Sequence, residues 1–413
     1  MSHFDVLIVG GGPAGSSAAW HCAQAGLEVC VLDRAAFPRA KPCAEYVSPE
    51  GSRILHAMGA LDTLETQAAQ LNGMVVHAPS GGRIHGEFVA RHGFRGFRDR
   101  GLGIRREVLD TVLLDCARAA GVQVMERAKV DALTVDRAGT VTGVKTNGHT
   151  INARLVIGAD GLRSVVSRRL GLARQSRVMR RVALVAHFRD VRDVGTLGEM
   201  HVTRNGYVGL ARVNEGLVNV ALVVPARASV SMRGDAAGYL DAWLRAHPQL
   251  APRFAGATRE TPVRATGPFA SRATRPWAPG VMLTGDAADF FDPFTGEGIY
   301  SALRGGDLLA PFAHEAVQAA SRTRQLDAFR GYEQARVRQF GGKWRVEKLV
   351  GLAVAFPPVL DYAAHVLSRD RDLADLLIGV TGDFVPPSAI LRPGTLLRLL
   401  GLAPGHRSPS NIS

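Results

Sequence analysis

The chain has 413 residues, 46% hydrophobic and 21% charged, a balance that fits a folded protein of two or three units and excludes a disordered one. Its net charge of +13 is not accompanied by any nucleic-acid-binding motif, so nucleic acid is not expected as a partner, and the basic surface suits anionic ligands such as nucleotide phosphates. The four cysteines (Cys22, Cys30, Cys43 and Cys116) contain no CxxC pair, which argues against a metal knuckle or a redox dithiol.

The first predicted element is a strand, Phe4 to Val9. No basic or apolar leader precedes it, and a reducing, cytoplasmic location is expected. Val6 to Val9 reads as a buried parallel strand. Gly10, Gly12 and Gly15 follow at GxGxxG spacing. The first makes a tight turn, the second lets backbone approach a pyrophosphate, and the third lets helix and strand pack closely. A helix starting near Pro13 aims its N-terminal amides at the phosphates, with Ala14 in its first turn. Gly26 closes that helix and Leu27 to Leu32 forms the next strand. Asp33 stands eighteen residues after Gly15, where a carboxylate accepts bonds from adenosine ribose hydroxyls, with Arg34 beside it. This segment alone does not separate NAD from FAD.

Gly73 to Val89 reads as a hairpin turning at Ser80-Gly81-Gly82. The basic stretch Arg91 to Arg106, with Phe94 and Phe97 interleaved, reads as a flexible lid or solvated loop, or as a hold for NADPH phosphates. Leu109 to Ala120 is a predicted helix, Val122 to Met125 a strand, and Val130 to Val135 with Val141 to Thr146 a hairpin. In Leu155 to Gly171 an apolar strand runs into Gly158 and then Asp160-Gly161. Arg181 to Val224 supplies four strand-like runs. His187 and His201 lie on them, either as proton donors or as structural residues. In Val281 to Gly306 a strand ends in Gly285-Asp286, followed by an irregular Asp/Pro/Gly stretch and a helix from about Glu297. A second acid so far from the dinucleotide fingerprint suits a flavin, whose ribityl hydroxyls need hydrogen bonds.

Together the three motifs resemble those of the p-hydroxybenzoate-hydroxylase-fold FAD enzymes, and most closely the geranylgeranyl reductase family. The resemblance implies an α/β fold with a Rossmann-type, glutathione-reductase-like FAD-binding domain, an inserted antiparallel-sheet substrate domain that roofs the flavin, and a helical C-terminal region. The expected divisions are 1–72, 101–176 and 278–330 for FAD, 73–100 and 177–277 for substrate, and 331–413 for the tail. By the same resemblance Asp286, with Gly285, binds the ribityl chain and Asp160 braces the dinucleotide loop. Pro293 lies against the flavin ring, and Gly296, Glu297, Gly298 and Ile299 present backbone amides to its pyrimidine edge. A helix N-terminus there stabilises the negative charge of reduced flavin without a lysine. The same TGEG run also reads as a capping turn with Thr295 as cap. Arg106 matches an arginine that opens a helix beside the FAD, or is a solvated helix-start charge.

On the substrate side Lys41-x-Cys43 matches the family, while Ala44 and Glu45 replace a glycine pair and put bulk near the flavin. Of the family's aromatic run only Tyr207 remains, and no Trp-x-Trp-x-Ile-Pro halogenase run is present. Cys43 reads as a thiol near the flavin or as a small buried hydrophobe. The candidate catalytic residues are Cys43, Tyr207 and Pro293. Three functions follow: a reductase of carbon–carbon double bonds in an apolar isoprenoid or polyketide-like molecule, a monooxygenase of an aromatic or polyketide ring, or a non-catalytic prenyl-binding escort. NADPH or NADH is the expected electron donor. The proline-punctuated tail closes the substrate cavity, touches a membrane peripherally, or packs as a plain helical layer. Its apolar run Leu349 to Leu360 is broken by Pro357 and Pro358, so no membrane span is expected.

Overall fold

The computed structural model describes residues 3–176, 180–232 and 234–402. His3–Val9 sits in the middle of a sheet covered on both faces, which is why its residues read as a continuous apolar run. It pairs in parallel with Val29–Leu32 on one side and with His149–Gly158 on the other. Gln123–Met125 and Val281–Leu283 extend the sheet in parallel, and Trp277–Ala278 ends it antiparallel. The hairpin of Val130–Val135 and Val141–Thr146 adds to the first half of His149–Gly158. The helices Pro13–Gln24 and Gly298–Gln318 pack together on one face, tied by the Ser17 hydroxyl donating to the Leu303 carbonyl at 2.7 Å.

A second sheet runs in the order Thr258–Arg259, Arg181–Arg189, Leu217–Pro225, Gly206–Asn214, Leu197–Thr203, Gly73–His77, Arg83–Glu87, with Arg264–Thr266 beside Arg181–Arg189. It is antiparallel except where Leu197–Thr203 pairs in parallel with Gly73–His77. The four runs expected between Arg181 and Val224 are all strands here, and the early hairpin joins them through that parallel pairing. One face of this sheet buries Leu240, Trp243 and Leu244 of the helix Ala236–Arg245. Its other face packs on the C-terminal helices.

The C-terminal layer starts earlier than 331, with a 34-residue helix, Arg322–Ala355. Pro357–Leu367, Arg371–Thr381 and Pro393–Leu399 follow. Pro357 and Pro393 each occupy a first helical position, where the missing N–H costs nothing. Leu360, Ala364, Leu373 and Ile378 pack on Met74, Val76 and Ile84 of the early hairpin. The stretch Arg91 to Arg106 is not a free lid. Arg91 pairs with Asp375 at 3.1 Å, Arg98 pairs with Glu65, and Gly101–Gly103 is a fully buried strand. Among the described residues no single helix is long and apolar enough to cross a membrane.

Candidate active site

The Pro13–Gln24 helix begins on Gly12, which carries no side-chain cap, so its first amides are left for a ligand. Gly10 holds φ at +106°, and a Cβ there would stand 2.5 Å from the Ala159 carbonyl oxygen. A Cβ on Gly15 would stand 1.7 Å from the Gly10 carbonyl oxygen. Only glycine permits either approach. Two guanidinium groups close over this turn: Arg39 and Arg106 lie 3.5 and 3.6 Å from where a Gly12 Cβ would be. Both are held by Asp110, Arg106 through two bonds of 2.7 Å and Arg39 through one contact of 3.1 Å. Arg39 also reaches Asp33 at 3.5 Å, so two carboxylates balance the two cations, and what the turn offers a pyrophosphate is a pair of guanidinium donors held in place.

Asp33 accepts from Gly11 N–H and Ala35 N–H, each at 2.9 Å, so it fixes the turn's shape. Arg34 is exposed next to it. Asp160 accepts from Val165 N–H at 2.5 Å, and its Cα would lie 2.9 Å from a Gly10 Cβ. Burial raises its carboxyl above the ordinary value, with the Ser164 hydrogen bond opposing. Gly285 adopts φ +56°, and a Cβ there would meet the Ala14 methyl at 2.7 Å. The lack of a side chain there lets the third glycine motif lie against the first. Asp286, next along, faces the same space; burial raises its carboxyl while Lys41 and Arg106 pull it down. Lys41 is lowered by burial and by Arg106, with Asp286 acting the other way.

Pro293 opens the turn Pro293–Thr295, which Gly296 ends at φ +73°. The helix Gly298–Gln318 then starts from Glu297 with no side-chain cap. Thr295, expected as a cap, lies buried in the preceding turn instead. The carboxylate of Glu297 turns away from the cleft to reach Lys343 Nζ at 2.7 Å, and the same ammonium donates to Asp383 at 2.8 Å.

These elements enclose a cleft of about 1150 Å³, part of it open to solvent. Gly12, Ala14, Arg106, Asp286, Gly298 and Ile299 line its polar end. Cys43, Tyr207, Pro293 and Gly296 also line it, with Ala183, Val185, Met200, Val223 and Phe269 from the second sheet and the segment after it. Gly10, Gly15, Asp33, Arg34, Asp160, Gly285 and Glu297 are not on the wall. The Tyr207 hydroxyl donates to Asp292 at 2.6 Å, and Arg181 holds the other oxygen of that carboxylate at 2.6 Å. Burial, reinforced by Asp292, pushes the Tyr207 phenol well above its usual value. Its ring is therefore wall, and its hydroxyl anchors the turn that carries Pro293. Cys43 is half-buried, with its thiol in hydrogen-bonding reach of Arg106.

Sequence reasoning passed over Arg39 and misjudged Glu45. Ala44 lines the cleft, but Glu45 puts no bulk there. It takes φ +59°, the conformation a glycine would adopt, and buries its carboxylate. Oε1 accepts from Arg106 N–H at 2.8 Å; Oε2 meets His187 Nε2 at 2.6 Å and Asn219 Nδ2 at 2.9 Å. This carboxylate ties the cofactor-side helix to the second sheet. An acid standing where the resembled family keeps glycine was the available signal. His201 is structural as well: its Nε2 meets Glu199 at 2.8 Å and its ring stacks on His77 at 4.2 Å. His77, Glu199 and His201 have metal-ligand spacing, but Arg253 already binds both oxygens of Glu199, at 2.6 and 2.8 Å.

The profile of the FAD binding domain family matches residues 3–337. Two digeranylgeranylglycerophospholipid reductases of Methanopyrus kandleri are similar in sequence. Reductase 1 is 31% identical over 325 residues, 76% of this chain and 81% of its own. Reductase 2 is 29% identical over 393 residues, 92% of this chain and 94% of its own. The chain belongs to the geranylgeranyl reductase family of FAD-dependent oxidoreductases. The fold is shared more widely: a myxobacterial chondrochloren halogenase superposes with a TM-score of 0.79 at 22% identity, covering 98% of this chain and 99% of its own. FAD fits the cleft of this geranylgeranyl reductase family member on its own geometry. Two helices of 12 and 21 residues turn uncapped N-termini into one space, the first under two guanidinium groups.

Proposed function

We propose that this protein reduces carbon–carbon double bonds in an isoprenoid or polyketide-like apolar molecule, in the cytoplasm, with NADPH or NADH as electron donor. The observation that carries the reading is the two-ended cleft. Charged and amide groups gather at the end near Gly12, Arg106 and Asp286, while Ala183, Val185, Met200, Val223 and Phe269 make the other end apolar. The apolar end excludes water and takes a hydrocarbon chain. Digeranylgeranylglycerophospholipid reductases, by their names, act on such molecules.

Bound and reduced, FAD supplies a hydride. The chain's own residues do the rest. Arg39, Arg106 and the Pro13–Gln24 helix would hold the pyrophosphate, Asp286 would hold the ribityl hydroxyls, and the amides of Gly298 and Ile299 would serve the pyrimidine edge. Pro293, on a turn fixed by Tyr207 and Asp292, would sit against the ring. Cys43, whose Sγ lies on the cleft wall beside Arg106, would supply the proton to the second alkene carbon. Hydride and proton together saturate one double bond.

The test is to reduce the enzyme anaerobically, let it turn over with and without labelled dioxygen, and analyse the products by mass. A product heavier by two hydrogens, with no oxygen gained, is expected. A product carrying an atom from labelled dioxygen would overturn reduction and establish hydroxylation instead.

A further inference from the structure

We propose that the C-terminal helices form a membrane-docking face, and that its partner is a lipid bilayer carrying anionic headgroups. The run Leu349 to Leu360 contains no charged residue. Within it the helices Arg322–Ala355 and Pro357–Leu367 meet at 108°, with Phe356 at the apex. Leu349, Leu352 and Phe356 fall at i, i+3 and i+7, one stripe of a helix, and are 56%, 46% and 58% exposed. Val359 and Tyr362 continue the stripe beyond the bend at 55% and 49%. The Tyr362 hydroxyl donates to the Leu400 carbonyl at 2.8 Å, which brings the exposed Leu400 and Leu402 alongside.

This stripe is not the core face of these helices. Val354, Leu360, Ala364 and Leu367 fill that role and are buried. The helices around the bend are therefore apolar on two sides, one of them open to solvent, and such a surface marks an interaction site. A bend of 108° prevents the pair from spanning a bilayer straight through. It suits an apex that enters the interface with the helices lying beside it.

Charge selects the partner. Arg345 and Lys348, just before the stripe on the same helix, are exposed, as is Arg392 at the start of Pro393–Leu399. Nearby acids are engaged elsewhere: Asp361 accepts from Ser80 N–H at 2.9 Å, and Asp370 and Asp372 hold Arg398 at 2.7 and 3.0 Å. The rim is thus cationic, in a chain of net charge +13, and complements anionic headgroups. The face also adjoins the cleft. Lys348 Nζ stands 5.5 Å over the ring of Phe291, whose neighbour Phe290 is cleft wall. A membrane-dissolved substrate would enter there. That purpose rests on the proposed function; the docking itself does not.

Flavin-loaded full-length protein is spun with vesicles of phosphatidylcholine and phosphatidylglycerol, and with phosphatidylcholine alone, without substrate. Co-sedimentation with the anionic vesicles, weakened by salt, is expected. L352E/F356E should lower that binding by about tenfold or more while keeping its flavin absorbance. R345E, one turn before Leu349 at the charged end of the stripe, should lose binding to anionic vesicles and leave the fold intact. Failure of the wild-type protein to sediment, or equal sedimentation of L352E/F356E, overturns the proposal. So does a salt-resistant dimer that L352E/F356E converts to monomer, because the face is then an interface between copies. Because no substrate is present, loss of docking is distinguishable from an error in the proposed reaction.

Discussion

Glu45 offers the sharpest test of how this site is held together, because its backbone and its side chain can be perturbed separately. Both Glu45→Ala and Glu45→Gly remove the same carboxylate. Each strips a buried partner from His187 Nε2, Asn219 Nδ2 and Arg106 N–H. Breaking one side of a buried charged network costs about 3–5 kcal/mol, and this loss is common to both variants. They differ in the backbone, which holds φ at +59°. A left-handed L-residue costs about 1–2 kcal/mol, which alanine still bears and glycine does not. Glycine gives back about 0.5–1 kcal/mol through the greater freedom of the unfolded chain. Glu45→Gly should therefore be the more stable of the two by roughly 0.5–1 kcal/mol. Denaturant titrations followed by circular dichroism, at equal saturating FAD so that ligand linkage cancels, give the comparison. An alanine variant at least as stable as the glycine variant would refute the view that Glu45 is kept for its carboxylate at a conformational cost.

Asp286→Ala should deplete bound FAD while the chain stays folded. Loss of a charge-assisted bond is worth roughly 1.5–3 kcal/mol, or tenfold and more in affinity, and an unchanged ratio of flavin to protein absorbance would remove the ribityl assignment. Arg39→Ala should weaken FAD by a similar factor of about ten, with partial recovery in Arg39→Lys; equal affinity in all three proteins would show that Arg39 does not face the pyrophosphate. The carboxylates under the Gly298 helix predict a pH effect. Burial pushes Glu297 up to about 8 and Glu347 up to about 7, with Lys343 opposing in both cases. An acid with its folded pKa raised holds its proton more tightly when folded, so its contribution is complete below the ordinary 4.5 and is lost as pH rises through 7 to 8. Unfolding free energy should fall across that window, and Glu347→Gln should flatten the fall; parallel profiles for wild type and variant would contradict the placement.

The parts of the fold legible in the sequence are those set by short-range rules. Gly10, Gly12 and Gly15 announce a strand–turn–helix because each spacing answers a local steric demand. The four strands between Arg181 and Val224 announce themselves as apolar runs separated by turn residues. Pro357 and Pro393 mark helix starts. The less legible features join residues far apart. The parallel pairing of Leu197–Thr203 with Gly73–His77 has no local signature, because register depends on which faces are buried together. Lys343 reaches Glu297 and Asp383 from another helix, and nothing about a lysine in a helical run reveals two buried carboxylates. The stretch Arg91 to Arg106 looks solvated because arginine usually is; its partners Asp375 and Glu65 lie elsewhere in the chain.

The same division applies to the site. The cofactor end is a set of backbone shapes, and backbone shapes are written in glycines and prolines. The substrate end is a set of side-chain surfaces brought together by the second sheet, so a motif search finds only fragments such as Lys41-x-Cys43 and Tyr207. Glu45 shows why replacing a motif residue need not abolish the motif's geometry. The φ of +59° that a glycine would adopt freely is kept by an acid, since its carboxylate gains three buried partners there. A strained residue of this kind persists only where the surroundings over-determine it. Its partners span the helix that carries Arg106 and the strands that carry His187 and Asn219. Glu45 is thus the covalent neighbour of the cleft wall at Ala44 and the hydrogen-bonded link between cofactor and substrate halves, so a change of orientation between the halves must be felt at the wall.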